Sequence, residues 1–233
     1  MKQFNTPLIV GYKGEIGSFI LSGLLKTMPK ALDILCYDTN ENANEKIERI
    51  KKSDTIFLCL PINKTIKWFC EHYHLLKDKT IIEQCSLKGF LYNEHIIKEN
   101  KLFNLLSMHI LFKPSRTPHK SDRTVALLYK NKWKKKSKYI EQITDSNIVW
   151  FKNYEEHDKT MAVQQALVHR IVLTLGNMLE EHTQHTYIGK RILELSARIK
   201  AGDKELYNFI QSNHHIDEIH FRFKSLLTNK YYL

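Results

Sequence analysis

Short apolar runs alternate with amphipathic stretches through the first 150 residues. The runs 8–10, 33–37, 55–60, 80–83, 104–109, 124–129 and 148–151 read as strands. Several are continuous rather than alternating, as strands covered on both faces of a parallel sheet should be. Segments 15–27, 41–52, 63–76, 88–99 and 132–144 carry helical spacing between them. Asp54 and Pro61 bracket the third run, and Pro61 stops it at the sheet's carboxyl edge. The alternation predicts an α/β fold with an N-terminal, Rossmann-type doubly wound sheet. From Tyr154 the pattern changes. One long helix is expected over 155–181, apolar nearly all round through Met161, Ala166, Ile171, Leu175 and Met178, which implies burial against other helices. A break at 185–189 precedes a helix over 190–201, Gly202-Asp203 opens a third through Ile210, and the tail from His214 forms a further helix. The expected organisation is an α/β domain over 1–152 and a smaller all-helical domain over 153–233.

The loop behind the first run changes this picture from architecture to chemistry. Gly11-Tyr-Lys-Gly-Glu-Ile-Gly17 follows it directly, and Asp38 closes the second run 21 residues past Gly17. Glycines let the backbone approach a pyrophosphate, and the helix that follows offers free N–H groups and the positive end of its dipole. A carboxylate at the tip of the second strand can accept hydrogen bonds from ribose hydroxyls. Its charge would repel a 2′-phosphate, so NAD is expected over NADP. The candidate cofactor residues are Gly11, Tyr12, Gly14, Ile16, Gly17, Asp38 and Pro61. The spacing departs from G-x-G-x-x-G: Tyr12 occupies the first glycine's place, and Gly11 stands one position early. A purely structural turn is the competing reading. Ligands in such sheets bind at the strands' carboxyl ends, so Tyr12, Asp38, Pro61, Ser86 and His109 should line one edge.

Composition adds limits. At 233 residues the chain can build one large domain or two small ones. No apolar stretch approaches the roughly 18 residues of a membrane span, and the start, Met1-Lys-Gln-Phe-Asn, has no signal-peptide core. Cys36, Cys59, Cys70 and Cys85 show no metal-ligand spacing, and neither does His214-His215, so no metal is expected. Reduced thiols in a cytoplasmic protein are the simplest reading. The net charge of +11 includes six lysines between Lys130 and Lys138, with Trp133 among them. Such a run can grip a phosphate backbone. It can equally be a wet helix face from which Trp133, Ile140 and Ile143 pack inward. The second reading is the expectation, with an anionic small molecule as partner rather than a nucleic acid or a membrane.

Four further stretches, in order, resemble one family. Ser86-Leu-Lys88-Gly89, Ser107-Met-His109-Ile-Leu-Phe112-Lys-Pro114, His157-Asp158 with Gln165-Ala-Leu-Val-His169, and Leu195-Ser-Ala-Arg198 running on to Asp203-Lys-Glu-Leu-Tyr207 are similar to prephenate dehydrogenase. The resemblance runs from Gly11 to about Gln211. It implies NAD-dependent oxidation and decarboxylation of prephenate, or of arogenate, on the route to tyrosine. It implies that His109 hydrogen-bonds the ring hydroxyl as the base, that Ser86 touches the same hydroxyl, that Arg198 holds a substrate carboxylate, and that His169 is a substrate-side polar group.

These residue types suit the reaction. A neutral imidazole can accept the C4 hydroxyl proton as the hydride leaves. A serine can fix the hydroxyl's direction, and a planar guanidinium matches a carboxylate. Each residue also has a plainer reading: a surface or core histidine for His109, a helix cap for Ser86, a satisfied core histidine for His169, a surface ion pair for Arg198. His157-Asp158 reads as a helix N-terminal feature, with Asp158 complementing the dipole. Departures from the family pattern are Tyr12, Lys113 in place of a glycine, and an earlier end of the helical part. They keep open another small NAD-dependent hydroxy-acid oxidoreductase and a non-catalytic NAD-binding relative. The apolar long helix leads to the expectation of a homodimer through the helical domain.

Overall fold

All seven apolar runs become strands in the computed structural model, which describes residues 5–27, 33–117 and 119–228. Of the sequence readings, the opening Met1 to Phe4 of the signal-peptide argument and the end of the expected tail helix, 229–233, lie outside the described residues. The strands are β1 (Pro7–Val10), β2 (Leu35–Tyr37), β3 (Thr55–Leu58), β4 (Thr80–Glu83), β5 (Asn104–Ile110), β6 (Thr124–Leu128) and β7 (Asn147–Phe151). They form one sheet in the order β2-β1-β3-β4-β5-β6-β7. Every pairing is parallel except β5 with β6. That reversal was not read from the sequence. Among the described residues, only two 3₁₀ turns, Pro114–Arg116 and Lys120–Asp122, link β5 to β6. With no crossover helix to carry the chain back, the next strand runs the other way.

The helices of this unit are α1 (Glu15–Thr27), α2 (Ala43–Lys52), α3 (Ile62–His72), α4 (Lys88–Tyr92), α5 (His95–Lys98) and α6 (Lys130–Thr144). Successive strand residues point to opposite faces, so Ile9 joins the core beneath α1 and α6, with Leu24, Trp133, Ile140 and Ile143. Leu8 and Val10 join the core on the other face, with Trp68, Phe69 and Leu91. Each fully buried side chain of this kind contributes about 1.5–3 kcal/mol. The expected helix 88–99 is split, because the chain turns at Asn93-Glu94 between α4 and α5. Trp133 and its partners turn inward from α6, as expected. Lys132 and Lys136 lie over the Trp133 ring at 5.0 and 5.5 Å.

The chain divides into two compact units, Met1–Tyr154 and Glu155–Leu233. The helices of the second are α7 (Tyr154–Met161), α8 (Val168–Glu180), α9 (Tyr187–Lys200), α10 (Lys204–Gln211) and α11 (Ile216–Thr228). The expected unbroken helix over 155–181 is not formed: Ala162–Leu167 is a π-helical turn between α7 and α8. A π turn frees a backbone carbonyl from the usual ladder, and here Gln211 Nε2 donates to Ala166 O at 3.0 Å. Nor is the stretch buried all round. Ala162, Ala166 and Leu167 pack on Ile210, Ile216 and Ile219, whereas Val168, Leu175 and Met178 are exposed. Thr186 caps α9 by accepting from the Gly189 N–H, so that helix starts earlier than expected. Asp203 caps α10 through the N–H groups of Glu205 and Leu206. Among the described residues, no helix is long and apolar enough to cross a membrane.

Candidate functional site

The strand order reverses between β1 and β3, and the glycine turn sits at that switch point, where α/β sheets open a crevice. Gly11 ends β1 with φ of +80°, a conformation that disfavours any side chain. Its N–H donates to Tyr37 O at 2.9 Å, and a Cβ there would fall 2.5 Å from Cys59 O. The left-handed position therefore belongs to Gly11. Tyr12 has no positive φ, which explains why a tyrosine is accepted one place later. At Gly17 a Cβ would sit 2.1 Å from Gly11 O, so this glycine permits α1 to press against the turn. Ile16, half-buried beside it, packs on the core beneath α1.

Asp38 follows β2 and reaches the same turn. Its carboxylate accepts from the Lys13 N–H at 3.2 Å and from the Thr39 N–H at 2.8 Å. Burial alone would raise its pKa, but the donors from Thr39 and Lys13 outweigh that and hold it below the ordinary carboxylate value. A cavity of about 520 Å³ opens beside Gly11 and Asp38, walled by Ile47, Leu60 and Trp68, with Lys46 and Lys64 at its edge. An apolar slot ending in an ionised carboxylate next to a glycine turn suits a nucleoside whose ribose meets Asp38 and whose phosphates meet the turn. Pro61 occupies the N-cap position of α3, directly after Leu60. Leu60, Trp68 and Ile47 were not singled out from sequence. Only their spacing from Pro61 and Asp38 could have pointed to them.

The carboxyl ends of β4 and β5 carry the next group. Glu83 pairs with Ser107 in register, so Ser86, in the loop after β4, and His109, near the end of the adjacent parallel strand β5, both follow this pair at the carboxyl edge. Two fully buried charges tie them together. Lys88 Nζ donates to Glu83 Oε1 at 2.7 Å and to Met108 O at 2.8 Å. Glu83 Oε2 accepts from the Cys85 N–H at 2.7 Å. The pair thus fixes the backbone just before Ser86 and just before His109. His109 is itself buried, opposite Ala126 of the antiparallel β6. Ser86 is half-buried and is not a helix cap, since α4 starts from Leu87 without a side-chain cap. Tyr92 bonds Ser107 Oγ at 2.8 Å and stacks on Tyr154. Lys113, the departure from the family pattern, approaches Glu15 at 3.6 Å, so its charge is directed to the first turn of α1.

In the helical unit, His169 is half-buried, its ring stacked on Tyr207, and its Nδ1 has no hydrogen-bond partner. Burial pushes its pKa below the ordinary histidine value. It is therefore not a satisfied core histidine. Gln165 lies four residues earlier in the π turn, and its Oε1 is likewise buried without a partner. Buried polar atoms are normally bonded, and π turns recur at functional sites. Gln165 is thus a candidate that the sequence suggested only as part of a motif. Arg198 is exposed in the last turn of α9. His157-Asp158 differs from expectation: both side chains are buried, bonded at 2.7 Å, and Asp158 lies beyond the first turn, whose acids are Glu155 and Glu156. Asp158 serves a buried pair instead of the helix dipole.

The chain matches no protein-family model. A probable arogenate/prephenate dehydrogenase of Methanocaldococcus jannaschii is 29% identical over 203 residues, which is 78% of this chain and 44% of the relative. The chain therefore spans less than half the length of that curated relative. The chain resembles the prephenate dehydrogenases. The solved structure of prephenate dehydrogenase from Aquifex aeolicus, in complex with hydroxyphenyl propionate and NAD+, superposes with a TM-score of 0.70 at 18% identity, covering 97% of this chain and 89% of that one. For a putative prephenate dehydrogenase from Corynebacterium glutamicum, the TM-score is 0.73 at 12% identity, with 97% and 80% covered. At such identities the structures establish a shared fold: a mostly parallel Rossmann-type sheet followed by helices.

Proposed function

We propose that the chain is an NAD-dependent dehydrogenase that oxidises and decarboxylates prephenate or arogenate, forming 4-hydroxyphenylpyruvate from prephenate in tyrosine biosynthesis. The observation that carries this reading is the buried Glu83–Lys88 pair holding the segments of Ser86 and His109 at the carboxyl ends of adjacent strands, in a sheet whose switch point bears Gly11 and Asp38. The curated relative supports the substrate class. NAD+ supplies the hydride acceptor. Asp38 holds the ribose, and the N–H groups of the glycine turn and the first turn of α1 face the pyrophosphate. His109 accepts the ring hydroxyl's proton while Ser86 fixes that hydroxyl's direction. Arg198 binds a substrate carboxylate, and His169 and Gln165 offer further polar contacts. Decarboxylation then leaves an aromatic ring, which drives the reaction forward. The protein works in the cytoplasm as a homodimer through the helical unit.

The test is NADH formation from prephenate and from arogenate, each with NAD and with NADP. Turnover with NAD is expected, and Asp38→Ala should narrow the preference over NADP. His109→Asn should lower kcat by about 10²–10⁴-fold. A wild-type protein that binds NAD but turns over neither substrate would replace this reading with a non-catalytic NAD-binding relative. Turnover of a different hydroxy acid alone would move it to another oxidoreductase.

A further inference from the structure

His214 and His215 precede α11, and Glu155 lies in the first turn of α7, 59 residues before His214. The two imidazoles converge on one oxygen. His214 Nε2 is 3.2 Å and His215 Nε2 is 3.4 Å from Glu155 Oε2, and the three ligand atoms lie within 4.8 Å of one another. The approach from His215 is too poorly aligned for a hydrogen bond, so its Nε2 is buried without a hydrogen-bond partner. The ring centroids are 3.9 Å apart. An imidazole binds metal through an unprotonated ring nitrogen.

We propose that Glu155, His214 and His215 form a binding site for a divalent transition-metal ion of the zinc type. Zinc binds imidazole nitrogen at about 2.0–2.1 Å and carboxylate oxygen at about 2.0–2.2 Å, so the edges of its tetrahedron are about 3.4 Å. Both nitrogen-to-oxygen edges already have that length. Two nitrogens and one oxygen form a borderline donor set, which selects zinc over the all-oxygen preference of magnesium and calcium. Exposure of Glu155 and His214 leaves the remaining position to water. The loop is held before any ion arrives. Asn213, itself buried, donates to Asp158 O at 2.7 Å and accepts from the His215 N–H at 3.0 Å. Glu218, whose carboxylate feels His215, is occupied by Lys159 at 3.0 Å and does not compete for the ion. Bound zinc would clamp the start of α7 to the entry of α11. The inference is independent of the dehydrogenase reading.

The experiment is calorimetric titration of the full chain with zinc chloride near neutral pH, with melting followed in parallel. Uptake of one zinc per chain is expected, with proton release that grows as the pH falls toward the histidine range. Zinc should also raise the melting temperature. The double variant His214→Ala/His215→Ala should weaken uptake by at least about tenfold, since even losses outside the ligand set cost that much. Glu155→Gln, an exposed and conservative change, gives the same readout if the double variant fails to fold. Cys70→Ser, which removes the exposed thiol, should leave uptake unchanged. Absence of saturable uptake, or uptake that survives Glu155→Gln and the double variant, would overturn the site.

Discussion

The two units treat their apolar residues differently. In the sheet unit, Leu8, Ile9, Ile56, Phe57, Ile81 and Ile82 are wholly buried. In the helical unit, Phe221 is 78% exposed, Leu227 71% and Tyr187 68%. The cause lies in geometry. A parallel sheet has two faces, and its own crossover helices cover both within one sequence. A group of short helices has more apolar face than its own packing covers. The sheet unit therefore covers its own apolar faces, and its wholly buried ion pair, Glu83–Lys88, lies at the ligand edge. The helical unit leaves large apolar side chains that its own packing does not cover.

The largest effect should come from breaking what is most self-contained. Lys88→Met removes one member of the buried pair and leaves the Glu83 carboxylate without its charged partner. Destabilisation by about 3–5 kcal/mol is expected. The double variant Glu83→Gln/Lys88→Met should recover much of it, because no uncompensated charge remains buried. The chain's three tryptophans, Trp68, Trp133 and Trp150, all belong to the sheet unit. Denaturant unfolding followed by tryptophan fluorescence therefore reports that unit alone. A loss under about 1 kcal/mol in the single variant would show that the pair is dispensable.

What was legible in the sequence follows the same division. The glycine turn, Asp38 and the strands are local features: a run of apolar residues, a turn and an acid at fixed spacing. They could be read because neighbours in sequence are neighbours in the fold. The positive φ at Gly11 also resolves the misfit of Tyr12, which looked like a defect only against a fixed glycine spacing. The Glu83–Lys88 pair was not legible. A lysine two places after Ser86 looks like solvent-facing helix until β5 is placed beside it. The π turn at Ala162–Leu167 was hidden because helical periodicity continues on both sides of it. Glu155 and His214 are too far apart in sequence for any spacing rule to join them. The antiparallel β6 was missed because apolar runs reveal strands, not their direction.

A smaller effect concerns the open surface. Tyr187 and Ile188 on α9, with Phe221 and Leu227 on α11, are the exposed residues a second copy would cover. Light scattering at micromolar concentration should give twice the chain mass of 27.6 kDa. Phe221→Glu should favour the monomer. Loss of two half-buried phenylalanines, one from each copy and together about 2 kcal/mol, corresponds to a dissociation constant raised about 30-fold. Tryptophan fluorescence of the sheet unit should not change. A wild-type monomer at that concentration would mean that some other partner, or none, covers these helices.

The smallest expected effect would sharpen the contrast inside the helical unit itself. His169 has a folded-state pKa pushed down by burial, with Nδ1 unpartnered. As the pH falls, the unfolded chain takes up this proton first, near the ordinary value of about 6.5. Stability is therefore full above that value and declines as the pH falls from there to the lower folded value, below which the loss stops growing. His220 is shifted in the same direction, by burial and by the Arg170 guanidinium, so the two histidines act together. Thermal melts followed by far-ultraviolet circular dichroism should fall in this window, and His169→Gln should flatten the slope without abolishing it. Proton NMR of the imidazole gives the direct check. Titration of His169 at or above the ordinary value would mean that its ring already has a bonding partner, and it would remove the main reason for assigning it to a substrate contact.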